Sequence, residues 1–204
     1  LTLRSSGPAF CGPLTLAVGP LMHKLDHQSG EQWVPHSHVP VFAVETTSVH
    51  TQRIVAGVPG GDAAVLLKLI ECITPPFFAL YVLHTPRGEG EPGRYQSPKL
   101  ELPELQAFIS QYSSFFAADA RFDLWVHSPA DGATIVWDRH NLIYGYGPIE
   151  CFSNALCSLG FSQGTKPTLG PHAHHYRHEF DSEARAILTA FPWQYSSLQP
   201  EDEQ

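Results

Sequence analysis

Leu105, Phe108, Ile109, Tyr112, Phe115 and Phe116 stand at i, i+3, i+4, i+7, i+10 and i+11, the clearest periodicity in the chain. Side chains at that spacing share one face of an α-helix. A helix with so broad an aromatic face must bury it, and Pro103 suits its first turn. The stripe therefore predicts a helix over 103–116 packed on a sheet, and it limits the chain to folds in which a layer of helix covers a layer of strand.

The strands announce themselves differently. Val41 to Thr47 and Gln52 to Val58 are β-branched and apolar around a polar break, and Pro59-Gly60-Gly61 ends the second, so they predict a hairpin. Phe77 to His84 predicts a central strand. Three further runs, 122–127, 133–138 and 142–146, are separated by Ser128-Pro129-Ala130-Asp131-Gly132 and by a short turn, Asp138-Arg139-His140-Asn141. They predict a three-stranded antiparallel meander over about 122–146.

Three more helices are expected. Asp62 is a good N-cap for 63–73, which Pro75-Pro76 stops. Gly147-Pro148 opens a helix with Ile149, Phe152, Leu156 and Leu159 on one face and Gly160 at its C-terminal cap. Asp181 caps a helix that carries Ala184, Ile187, Leu188 and Phe191 and ends at Pro192. Strand, strand, helix and then a meander is not a βαβ alternation. The expected fold is a single α+β domain over 1–204, with a mainly antiparallel sheet and three to four helices packed largely on one face; a doubly wound α/β sheet is the weaker alternative. Residues 1–39 read as irregular apart from one apolar stretch, Leu14 to Val18, that can form a strand. Pro86 to Pro98 reads as a loop, and 194–204 as a polar acidic tail.

A chain of 204 residues with 43% hydrophobic side chains can build a core without disulfides or a metal, so any metal here is functional or local. Twelve Lys and Arg against twenty Asp and Glu give −8, with no basic cluster, which excludes phosphate-backbone attraction and argues against nucleic acid as a partner. No apolar run approaches the roughly 18 residues of a membrane span, so no membrane is expected. Cys11, Cys72, Cys151 and Cys157 show no zinc spacing, and free thiols in a reducing cytoplasm are expected. The chain begins at Leu1, not Met, so secretion stays open.

Chemistry-bearing residues gather in three places. His172, His174, His175 and His178 fall within seven residues, and His36 and His38 form a second pair. If 172–178 is extended, His172, His174, Tyr176 and His178 share one face, where imidazoles can hold Zn²⁺ with help from His36 and His38. The Pro86 to Pro98 loop offers Arg87, Glu89, Arg94 and Tyr95, types suited to protein recognition. The meander turn adds Arg139 and His140, although its composition is also what a tight turn uses. Cys151, near a helix N-terminus with His140 upstream, lacks any nucleophile signature.

Two functions follow. The first is a non-catalytic protein-binding module that presents the loop and the meander turn to a protein partner, like an inhibitor- or immunity-type protein of bacterial style in size, charge and class alone. The second is a metal-dependent hydrolase or other metalloenzyme in which the histidine cluster, His172, His174 and His178 with His36 or His38, activates a water. In the first no cofactor is needed; in the second it is zinc. Oligomeric state is left open by both.

Overall fold

Hydrogen bonding of two polar, weakly patterned segments gives the first element of the computed structural model, which describes residues 22–202. These segments, β1 (Leu25–Ser29) and β2 (Gln32–Pro35), form an antiparallel hairpin. The hairpin β3 (Val41–Thr46) and β4 (Gln52–Gly57) follows, then α1 (Ala63–Ile70), whose first turn is capped by the Asp62 carboxylate accepting from Ala64 N at 2.9 Å. Next come β5 (Phe78–Leu83), β6 (Gly93–Gln96), α2 (Leu102–Gln111) and α3 (Ser113–Ala118). β7 (Phe122–Ser128), β8 (Ala133–Trp137) and β9 (Leu142–Tyr146) pair in succession, antiparallel. The chain continues through α4 (Ile149–Ser158), β10 (Ser162–Gln163), β11 (His172–His174), α5 (Asp181–Ala190) and β12 (Gln194–Ser196).

These strands make two sheets. The large one has nine strands in the order β10-β3-β4-β9-β8-β7-β5-β6-β12, antiparallel except where β10 joins β3. The small one has the order β11-β1-β2 and is antiparallel. The class is α+β, with five α-helices among the described residues where three to four are expected. The difference is one break: Tyr112, at φ −105° and ψ 16°, leaves helical geometry and divides the aromatic stripe between α2 and α3. Both halves still turn inward, with Leu105, Ile109, Phe115 and Phe116 fully buried.

Period-two alternation gives the large sheet two unlike faces. Phe122, Leu124 and Val126 of β7 and Ile135 and Trp137 of β8 join a core to which all five helices contribute, through Leu66, Leu105, Phe115, Phe152 and Ile187. Asp123, Trp125 and His127, with Thr134 and Val136, face the other way and are half-buried. The helical side is the core; the opposite side is where a site can be built.

Several expectations are corrected. Residues 25–35 are not irregular but form β1 and β2, while the stretch Leu14 to Val18 lies outside the described residues. The Pro86 to Pro98 segment is not structureless, because β6 pairs with β5. Residues 194–202 of the acidic tail are not loose: β12 adds to β6, and Asp202 is buried against Arg94. The cysteines are not all free. α1 and α4 pack together and bring Cys72 and Cys151 to a Cα separation of 5.8 Å in a disulfide, while Cys157 remains a free, exposed thiol. Neither cysteine of that bridge belongs to a sequence motif, so only the helix packing reveals it. Among the described residues, no helix is long and apolar enough to cross a membrane.

Candidate functional site

The β8–β9 turn is built around Asp138. Its Oδ1 accepts from His140 N at 2.9 Å and Leu142 N at 2.8 Å, and Asn141 adopts φ +56°, a left-handed conformation that Asn tolerates. Its Oδ2 lies 3.0 Å from His140 Nδ1. The carboxylate therefore shapes the turn and also fixes the His140 ring, leaving Nε2 available. A carboxylate behind an imidazole is the arrangement that orients metal-ligating histidines.

β11 delivers two more rings to the same place. His172 and His174 share a strand face, and their centroids lie 5.1 Å and 5.0 Å from that of His140. One ring nitrogen from each of the three falls within 4.8 Å of the others. His172 Nδ1 is held by the Gly170 carbonyl at 2.9 Å, which again leaves Nε2. His174 Nε2 is buried and has no hydrogen-bond partner among the described residues. Zinc bonds of about 2.0–2.1 Å place tetrahedral nitrogens about 3.3 Å apart, so the rings need close by only about 1.5 Å to share one ion. Burial, then the neighbouring His140 and His172, pushes His174 down to about 3, and its ring is neutral at pH 7.

The first hairpin continues the cluster. His27 faces His172 across the β1–β11 pair, and His36 packs edge-on against His27 at 5.1 Å and against His38 at 4.5 Å. His38 Nε2 donates to the His140 carbonyl at 2.9 Å, so His38 braces the turn. A Cβ at position 57 would lie 2.6 Å from the His38 Cβ, so Gly57 is what lets His38 reach it. Burial, then His38 and His27, pushes His36 down to about 4. Beneath the turn, Lys24 is fully buried, with Nζ 4.7 Å from the Phe122 ring centroid, 4.9 Å from that of Trp137 and 3.4 Å from the Asp138 carbonyl. Burial pushes it down to about 8 against the pull of Asp138, Asp123 and Asp119.

His140 also lies on the rim of a groove of about 370 Å³ on the open face of the large sheet. Trp125, Tyr144 and Tyr146 supply its aromatic wall. Arg53 stacks on Tyr144 at 4.9 Å and is fixed by Glu45 at 2.7 Å and by the Tyr146 hydroxyl at 2.7 Å. The backbone N–H of Arg139 donates to Asp123 at 2.7 Å, and its side chain lines the groove.

The residues singled out in the sequence thus divide. His140, His172 and His174 come together, with His36 and His38 alongside. His178 does not join them: the strand ends at His174, and the His178 side chain, 77% exposed, lies 3.2 Å from Glu179. In the 86–98 segment, the Glu89 side chain is 1% exposed and lies 3.0 Å from buried Arg121, while Arg87 lies 3.2 Å from Asp181. Arg94 lies 3.3 Å from Asp202, and Tyr95 donates to the Glu91 carbonyl at 2.7 Å. His140, expected at a partner-binding turn, joins the imidazole cluster instead; His27, the ring-orienting Asp138 and Asp202 carry no signal in the sequence that marks them. The groove face of Trp125 was available from the alternation of β7, which places it opposite Leu124.

Comparison of the chain with protein families, curated proteins and solved structures gives no match.

Proposed function

We propose that this protein is a metal-dependent hydrolase that holds a zinc-class divalent ion on His140, His172 and His174 and acts on a small molecule lying in the adjoining groove. The observation that carries this reading is the convergence of three imidazoles from two distant segments, two of them with Nδ1 already held by an acceptor and the third with Nε2 buried and unpartnered. Three neutral ligands leave the ion its full positive charge and a fourth position for water, whose pKa such a site lowers to about 7. Imidazole ligands suit zinc better than magnesium or calcium, which take oxygen donors.

The protein-binding reading has less behind it, because the side chains it relied on are engaged within the fold: Glu89 with Arg121 and Arg94 with Asp202. The Cys72–Cys151 bridge favours an oxidising compartment over the cytoplasm.

The test is the metal content of untagged protein purified without metal-affinity resin, followed by zinc titration calorimetry. About one ion per chain is expected, lost in the H140Q/H172Q/H174Q triple variant and retained in H178Q. Zinc binding that survives the triple variant would remove the site. A zinc-loaded protein that cleaves none of a panel of activated esters and amides would reduce the reading to metal binding alone.

A further inference from the structure

The groove carries a signature of its own, independent of the metal. Asp202 is 4% exposed, yet its Oδ1 has no hydrogen-bond partner among the described residues. Its other oxygen accepts from Gln199 N at 2.7 Å and lies 3.3 Å from Arg94 Nε. Trp125 Nε1 and Arg94 Nε, which can only donate, are also buried and without a hydrogen bond among the described residues. Buried polar atoms are nearly always satisfied, and leaving one bare is costly. Both residues line the groove, and Arg94 ties them together by stacking on Trp125 at 5.6 Å while pairing with Asp202. One stretch of wall therefore carries a bare acceptor, on Asp202, and bare donors, on Trp125 and Arg94.

The ligand that completes this wall must donate and accept over a short span. An ammonium supplies donors only and leaves the indole N–H bare. A carboxylate or phosphate supplies acceptors only, and it would meet Asp123, Asp138, Glu201 and Asp202 against Arg53 and Arg139. Neighbouring hydroxyls supply both functions. The aromatic wall adds apolar surface for a ring with C–H faces, and the volume of about 370 Å³ falls in the range of about 300–1,000 Å³ usual for small-molecule sites.

We propose that the groove is a saccharide-binding site in which neighbouring hydroxyls of one sugar ring donate to Asp202 and accept from Trp125. Asp202 fixes the ring by its free oxygen. Trp125 reads the hydroxyl beside it, and Tyr144 and Tyr146 bound the rest of the ring.

The experiment is calorimetric titration of the whole protein with a panel of neutral mono- and disaccharides, alongside a dipeptide amide and an alkylamine, each run with zinc and again with EDTA. Saccharide binding is expected in both conditions, so loss of the metal reading leaves this test intact. The W125F variant keeps an aromatic ring and removes the N–H, and should raise Kd about fivefold; D202N should raise it about tenfold or more. Circular dichroism confirms that each variant folds, and W125F carries the test if D202N does not. Unchanged affinity in folded variants, preference for the amide or the amine, or no saccharide binding at all would each overturn the proposal.

Discussion

Two clusters in this protein gather polar side chains from remote segments, and they end differently. Around Arg121, fully buried, all three guanidinium nitrogens are answered: Asp119 accepts at 2.8 and 2.9 Å, Glu89 at 3.0 Å, Asp181 at 3.1 Å and the Arg177 carbonyl at 2.8 Å. Around His140, His172 and His174, the structure satisfies one side of two rings and leaves the facing nitrogens to each other. A closed network fastens α5 and the 86–98 segment to the sheet. An open one, equally well positioned, is a receiver.

Loss of a partner should cost most at the closed cluster. Arg121→Met should cost about 3–5 kcal/mol in urea unfolding, because it strands buried carboxylates, whereas the H140Q/H172Q/H174Q variant should stay within about 1 kcal/mol of the parent. Equal losses would mean that the histidines are structural too.

Lys24 lies between the two cases, buried with one long contact to a carbonyl and two aromatic rings. Its folded pKa of about 8 lies below the ordinary 10.5. Between these values the unfolded chain holds the proton and the folded chain does not, so rising pH favours folding; below about 8 the burial penalty is present in full. The parent should gain about 3 kcal/mol on K24M between pH 8 and pH 10.5, read from the difference between their denaturation curves. A difference that does not change with pH would show that this ammonium is well solvated.

The open cluster should respond to what it receives. Zinc at a hundredfold excess over Kd should stabilise the parent by about 2.7 kcal/mol and leave the triple variant unmoved. Asp62→Ala calibrates the scale: loss of a single, ordinary cap on α1 should cost about 1 kcal/mol in either metal state. A larger loss in the zinc-loaded protein would show that α1 is coupled to the site.

What the sequence discloses about this molecule follows from where each signal resides. Strong period-two runs such as Phe122 to Ser128 and the aromatic stripe of α2 and α3 carry their own burial, so the α+β class and the inner strands of the large sheet can be read directly. β1, β2, β6 and β12 are short and polar, and what makes them strands is the partner each pairs with; nothing in Gly93–Gln96 predicts pairing with Phe78–Leu83. The site has the same character. His172 and His174 are legible as a pair on one strand, but His140 reaches them only because Asp138 shapes a turn and Gly57 admits His38. Asp202 lies in a tail whose composition is that of a solvated end, and only its contact with Arg94 marks it as part of a wall.

The disulfide between Cys72 and Cys151 spans 79 positions of the sequence, and β5 through β9 lie inside the loop it closes. A protease that cuts once anywhere in that loop therefore releases nothing: the two pieces run as one band on a gel without reductant and separate when thiol is added. The helix layer is also a covalent clasp, and nicked molecules keep His140 joined covalently to His172 and His174 whichever side of His140 the cut falls.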